Sequence, residues 1–154
     1  MKRFLTKNAI RLIIPILIIT SCNKSYVGPT TSNSPQKDSV TNSLATGIWK
    51  ITSFTQKTED KTSKFSDIGF TFNSDGSLTA TSKNGSETKG TWAFTPAITY
   101  YGSSSKAAIA FNMGTGNPLN LLTKTWNFIS SSYSLLKINS PELLEDEHVQ
   151  FSRQ

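Results

Sequence analysis

The chain has 154 residues, 36% of them hydrophobic, and a formal charge of +6, which leaves room for one domain beside targeting and linker segments but not for two. Four of its sixteen basic residues, Lys2, Arg3, Lys7 and Arg11, precede a short apolar run, and beyond Ser21 twelve basic residues face ten acidic ones. Those charges alternate in sign along the chain, so the basic stripe of a nucleic-acid binder is missing and no nucleic-acid partner is expected.

Residues 1–21 have the three-part order of a secretory signal peptide: a basic stretch ending at Arg11, the apolar stretch 12–19, then Thr20-Ser21. Eight apolar residues interrupted by Pro15 are too few to span a bilayer, which takes about 20 at 1.5 Å each. Ile19-Thr20-Ser21-Cys22 resembles the lipobox of bacterial lipoproteins, in which an aliphatic and two small residues precede a cysteine that receives a diacylglyceryl group. The resemblance implies a lipoprotein that begins at Cys22 and is held on the membrane by acyl chains of the palmitate kind. Cys22 is the only cysteine, which excludes a disulfide framework and a cysteine-built zinc site. Asn23 stands where an aspartate would be the familiar signal for retention at the inner membrane. The expectation is therefore a lipid-anchored protein of the cell outer membrane, with the periplasmic and surface faces both open.

Residues 22–46 are rich in Ser, Thr, Asn and Pro and show no apolar period, so they are expected to form a disordered tether behind the lipidated cysteine. A flexible coil of that length averages about 25 to 30 Å from end to end.

From 47 to 154 the pattern changes to short alternating runs separated by turn signals, without a sustained helical period. Asn73-Ser74-Asp75-Gly76 and Lys83-Asn84-Gly85-Ser86 are tight-turn sequences, because Gly and Asn tolerate the positive φ that hairpins require. Every second residue of eight successive runs builds one apolar face. The first four contribute Trp49 and Ile51, then Ile68, Phe70 and Phe72, then Leu78 and Ala80, then Trp92 and Phe94. The last four contribute Ile109, Phe111 and Met113, then Trp126 and Phe128, then Leu136 and Ile138, then Val149 and Phe151. The intervening residues, among them Lys50, Thr71, Thr91, Lys137 and His148, are polar. The fold expected is all-β, a small antiparallel eight-stranded barrel, since closure removes the exposed edges of such a meander. Segment 114–122 is expected to form a loop with one helical turn whose leucines cap the barrel, and 140–147 an acidic connection.

Gly47-Ile48-Trp49 looks like the Gly-x-Trp of lipocalins, and a second copy, Gly90-Thr91-Trp92, follows. With the run 70–80, the late Trp126 and the terminal Val149-Gln150-Phe151-Ser152-Arg153, the order resembles small lipocalin-like lipoproteins of Gram-negative bacteria. That resemblance implies that Arg153 packs on Trp49. It also implies a small hydrophobic ligand inside the barrel, against Trp49, Phe70, Phe72 and Trp92 on one side and Phe94, Phe111, Trp126 and Phe128 on the other. An eight-stranded barrel either fills with its own side chains or holds one small ligand. Both outcomes are open for so aromatic an interior.

No enzyme, cofactor or metal site is expected. His148 is the only histidine and falls on the polar face, so the common triads and zinc sets have too few members. Glu59 with Asp60, and the run Glu142, Glu145, Asp146 and Glu147, are expected to be solvated loop carboxylates rather than an acid–base pair. Three functions follow: binding of a small hydrophobic molecule, a protein-interaction module such as an assembly factor or inhibitor with a filled core, and a glycan-binding surface at Tyr100 and Tyr101.

Overall fold

A computed structural model describes residues 35–154; the signal-like leader, the lipobox-like segment with Cys22 and the first part of the expected tether lie outside the described residues. One helix, α1 (Pro35–Leu44), precedes strands β1 (Trp49–Gln56), β2 (Glu59–Asp60), β3 (Ile68–Phe72), β4 (Ser77–Ser82) and β5 (Glu87–Thr95). A two-stranded hairpin, β6 (Thr99–Tyr100) with β7 (Ser103–Ser104), interrupts the meander. It then continues through β8 (Ala108–Asn112), β9 (Lys124–Ser131), β10 (Leu135–Asn139) and β11 (Glu147–Arg153).

Eight strands pair in the order β1-β3-β4-β5-β8-β9-β10-β11, all antiparallel, and β11 returns to β1 along seven residue pairs from Trp49↔Arg153 to Gln56↔Glu147. The sheet is thus a closed barrel. Its turns form where the sequence places them: Gly76 N–H donates to Asn73 O at 3.0 Å, and Gly85 N–H to Ser82 O at 2.8 Å. The expected apolar face is the interior, and every member is buried except Phe128, which is only partly buried at the rim.

Three elements depart from the sequence expectation. Within the stretch expected as a tether, residues 35–44 form α1, whose Val40 and Leu44, four apart and so on one helix face, are buried against the end of the barrel. Two apolar residues among ten give no readable period; docking, not intrinsic propensity, stabilises this helix. In β1 a bulge between Ile51 and Ser53 resets the alternation, so that Phe54 points inward and is fully buried. Glu147 is not part of the solvated connection but the first residue of β11, and is 3% exposed.

Two short 3-10 helices complete the core. Thr62–Phe65 inserts Phe65 into it, and Leu119–Leu122 buries Leu119 and Leu122 at the same end, as the capping turn expected from 114–122. Among the described residues, no helix is long and apolar enough to cross a membrane.

Gly90 lies opposite Leu78 on β4, where β5 passes close to β8. A Cβ there would come within 2.6 Å of Met113 Sδ and meet the Asn112 carbonyl oxygen still more closely. Gly90→Ala is expected to force the two strands apart and to destabilise the barrel by about 2–3 kcal/mol, as overpacking against backbone does. A thermal unfolding curve unchanged by the substitution would contradict this close approach.

Candidate functional site

The inward aromatic set does come together, and Phe72 is its hub. The Phe72 ring meets Trp92 edge-on at 5.4 Å, Trp49 at 6.2 Å, and Phe111 and Phe151 at 6.0 Å each. Phe70 sits against Phe151 at 5.4 Å. Trp126 meets Phe54 at 6.2 Å, and Phe54 stacks on Phe65 at 5.5 Å. Phe94 and Phe128 form a separate pair at 4.9 Å near the rim. These are the separations of rings in direct contact. Phe54 and Phe65 were missing from the expected set, one because of the bulge and one because it stands on a 3-10 turn rather than a strand.

Each tryptophan also fastens a connecting segment. Trp49 Nε1–H donates to Leu44 O at 3.0 Å, Trp92 Nε1–H to Asn73 O at 2.9 Å, and Trp126 Nε1–H to Leu122 O at 3.0 Å. The three indole donors are therefore committed to the ends of the barrel, to α1, to the β3–β4 turn and to the second 3-10 helix. Ligand pockets orient their occupant with a few convergent polar groups. Among the described residues, the buried polar side chains are Lys61, Ser140 and Glu147; Glu147 shares the inward face of β11 with Val149 and Phe151 but is taken up by Lys124, which lies 5.0 Å from the Trp126 ring.

The end at Trp49 is closed by a stack. The Arg153 guanidinium lies 4.8 Å from the Trp49 ring centre and 4.0 Å from that of Tyr133, and it donates to Ser43 O. Gly47 has φ +79 and its missing side chain leaves the space that Arg153 occupies, 3.2 Å from where a Cβ would stand. This is the packing of Arg153 on Trp49 that the sequence order implied.

Among the described residues, three clefts of the outer surface are lined by residues other than Trp49, Phe70, Phe72, Phe111 and Trp126. One of about 200 Å³ lies between Lys37 and Thr41 of α1 and Ser74, Asp75, Trp92 and Phe94. Others, of about 310 Å³ at Lys50, Gly69 and Lys83 and about 370 Å³ at Asp67, Lys83 and Asn84, are open to solvent.

The carboxylates serve local structure. Asp60 Oδ1 accepts from Thr62 N–H at 2.8 Å, and the Thr62 side chain and backbone hold its carboxyl below the usual range. In the 140–147 segment, Lys124 Nζ donates to Glu145 Oε2 at 2.7 Å and to Glu147, while Ser140 Oγ donates to Glu145 Oε2 at 2.7 Å. The Lys124 and Ser140 hydrogen bonds hold Glu145 below its ordinary value. Burial would lower Lys124, but its hydrogen bonds to Glu145 and Glu147 outweigh that and raise it. His148 is exposed, with Nε2 3.2 Å from Asp146 Oδ1. Tyr101 is exposed at the β6–β7 turn, with φ 44.

The Lys124 cluster has a defined pH response. Glu145, depressed in the fold, contributes stability above the ordinary carboxylate range that is lost as pH falls through its folded pKa. Lys124, raised in the fold, contributes stability below the ordinary lysine range that is lost as pH rises through its folded pKa. Lys124→Met is expected to lower stability at neutral pH by about 3 kcal/mol, because it strands the buried Glu147 without its partner. Lys124→Met with Glu147→Gln is expected to recover part of that loss in urea unfolding; equal stability of the single variant and the parent would contradict it.

No family model and no curated protein matches the chain in sequence. Among solved structures, the chain is similar to a DUF4847 family protein from Bacteroides vulgatus, known from a crystal structure at 1.00 Å resolution. The likeness has a TM-score of 0.53 at 17% identity and covers 75% of this chain and 97% of that one. It supports the barrel fold.

Proposed function

We propose that the chain is a lipid-anchored protein of the bacterial outer membrane whose lipocalin-like barrel is filled by its own side chains. In this reading it is not an enzyme, and it acts through its outer surface as a protein-interaction module, of the kind that an envelope assembly factor or inhibitor provides. The observation that carries this reading is the mutual contact of Phe72 with Trp49, Trp92, Phe111 and Phe151 at the centre of the barrel. A guest there would have to displace rings already packed against each other. Arg153 over Trp49 supports the lipocalin-like assignment, and the lipobox-like Ile19-Thr20-Ser21-Cys22 supports the anchor.

A ligand-carrying reading draws on one feature, the cleft of about 200 Å³ where Trp92 and Phe94 approach the surface beside α1. Ligand pockets run from roughly 300 Å³ upward and are mostly apolar, so this cleft is small for an enclosed guest, and the larger ones at Lys50 and Lys83 are lined mainly by polar residues and open to solvent.

Native mass spectrometry of protein purified from cells that acylate it tests both halves. The expected mass is that of the chain from Cys22 with its acyl groups and nothing else. A stoichiometric apolar molecule bound to the acylated chain would overturn the filled barrel. A Cys22→Ser protein that still took up labelled fatty acid would overturn the anchor.

A further inference from the structure

The two ends of the barrel differ in charge. The end crossed by α1, the lower end, also carries the start of β1, the β3–β4 turn, the β5–β8 connection and the β9–β10 turn. Of the ten acidic residues of the chain, only Asp38 on α1 and Asp75 in the β3–β4 turn lie there. Asp75 is engaged by Ser77, whose N–H and hydroxyl both donate to it. Glu59, Asp60, Asp67 and Glu87 lie at the upper end, as does the whole acidic segment 142–147. The β5–β8 connection, 96–107, has no carboxylate and carries Lys106.

The lower end is also apolar at its rim. Ile48, Ile98, Tyr101, Ile129 and Tyr133 are each more than half exposed, and topology places all five there: before β1, along the β5–β8 connection, and at the end of β9 and its turn. Leu143 and Leu144 are exposed at the upper end, but they stand among Glu142, Glu145 and Asp146, which an anionic surface repels.

The chain enters the fold at the lower end as well. Lys37 and Thr41 of α1 face the β3–β4 turn and β5, and twelve residues, 23–34, separate Cys22 from Pro35. As a coil that length averages about 20 Å. Acyl chains at Cys22 would keep the lower end within reach of the bilayer and make a second contact intramolecular. Aliphatic and tyrosine side chains such as Ile98 and Tyr101, on a connection whose own sequence has no carboxylate, suit the headgroup boundary.

We propose that the lower rim docks on the lipid surface itself, with Ile98 and Tyr101 entering the headgroup boundary and the acidic end turned away. The docking rests on the anchor reading above. It fixes which face of the module is free for a partner: the upper one.

The test uses the full acylated chain on vesicles of phosphatidylethanolamine and phosphatidylglycerol, with a nitroxide on Ile98→Cys or, separately, on Leu144→Cys. Both sites are exposed, so neither label disturbs the core. Collisions with oxygen are expected to exceed those with a water-soluble nickel chelate several-fold at position 98 and to show no such excess at 144. Equal, water-like behaviour at both positions on protein that floats with the vesicles would overturn the docking and leave the anchor standing. Spin–spin broadening at 98 would overturn it in favour of a second copy of the chain covering the rim. Protein that neither floats nor carries acyl mass would overturn the anchor, and the docking with it.

Discussion

Trp49→Ala is expected to destabilise the barrel by about 4 kcal/mol, within the range for removing a fully buried tryptophan. Four interactions end together. The indole fills the lower mouth, meets Phe72 edge-on at 6.2 Å, supports Arg153 at 4.8 Å and donates to Leu44 O at 3.0 Å. The hydrogen bond and the Arg153 stack help to hold α1 to the barrel beside buried Val40 and Leu44, since Arg153 also donates to Ser43 O. The substitution is therefore expected to raise amide exchange through 36–46 beyond the increase in the strands. Trp49→Phe keeps most of the ring and loses the donor, so it is expected to cost only about 1–2 kcal/mol, with the same bias in exchange toward α1. Urea unfolding with exchange mass spectrometry reads both effects. Uniform exchange in Trp49→Ala would show that α1 is held by something else.

Phe72→Ala is expected to cost about 4 kcal/mol as well, for a different reason. Phe72 makes no polar contact, and its four aromatic neighbours are each anchored on a separate strand: Trp49 on β1, Trp92 on β5, Phe111 on β8 and Phe151 on β11. Those neighbours cannot collapse together without moving the sheet, so a dry apolar cavity is left. Such cavities bind benzene or xenon. The variant is expected to gain stability when benzene is added, and the parent chain is not. Equal stabilisation of both by benzene would mean that the parent interior already holds a void.

The barrel was legible in the sequence because its main signal, alternation with period two, is written into eight separate runs and punctuated by Asn73–Gly76 and Lys83–Ser86. The interior aromatics followed from the same period. What escaped was whatever breaks it. Phe54 was lost to a bulge, which shifts one residue and inverts the face of everything after it. Phe65 sits in a 3-10 turn, where alternation has no meaning. Val40 and Leu44 are two apolar residues in a polar stretch, and their burial depends on Trp49 and Arg153 from the two ends of the barrel sequence. The role of Glu147 depends on Lys124, 23 residues away and on another strand. Contacts of that kind leave no local trace. Gly90 looked like half of a repeated Gly-x-Trp, whereas its physical requirement is the approach of Asn112 at the end of β8 and of Met113 just beyond it.

A filled interior, as proposed above, would separate an interaction module from a carrier, and titration of the folded, acylated protein with a fluorescent fatty acid tests it most directly. The packing of Phe72 among Trp49, Trp92, Phe111 and Phe151 predicts no saturable increase in probe emission beyond that of the vesicles or detergent alone. Saturable binding of one probe per chain, abolished by a bulkier side chain at Ala80 on the inward face of β4, would contradict it and make the barrel a carrier.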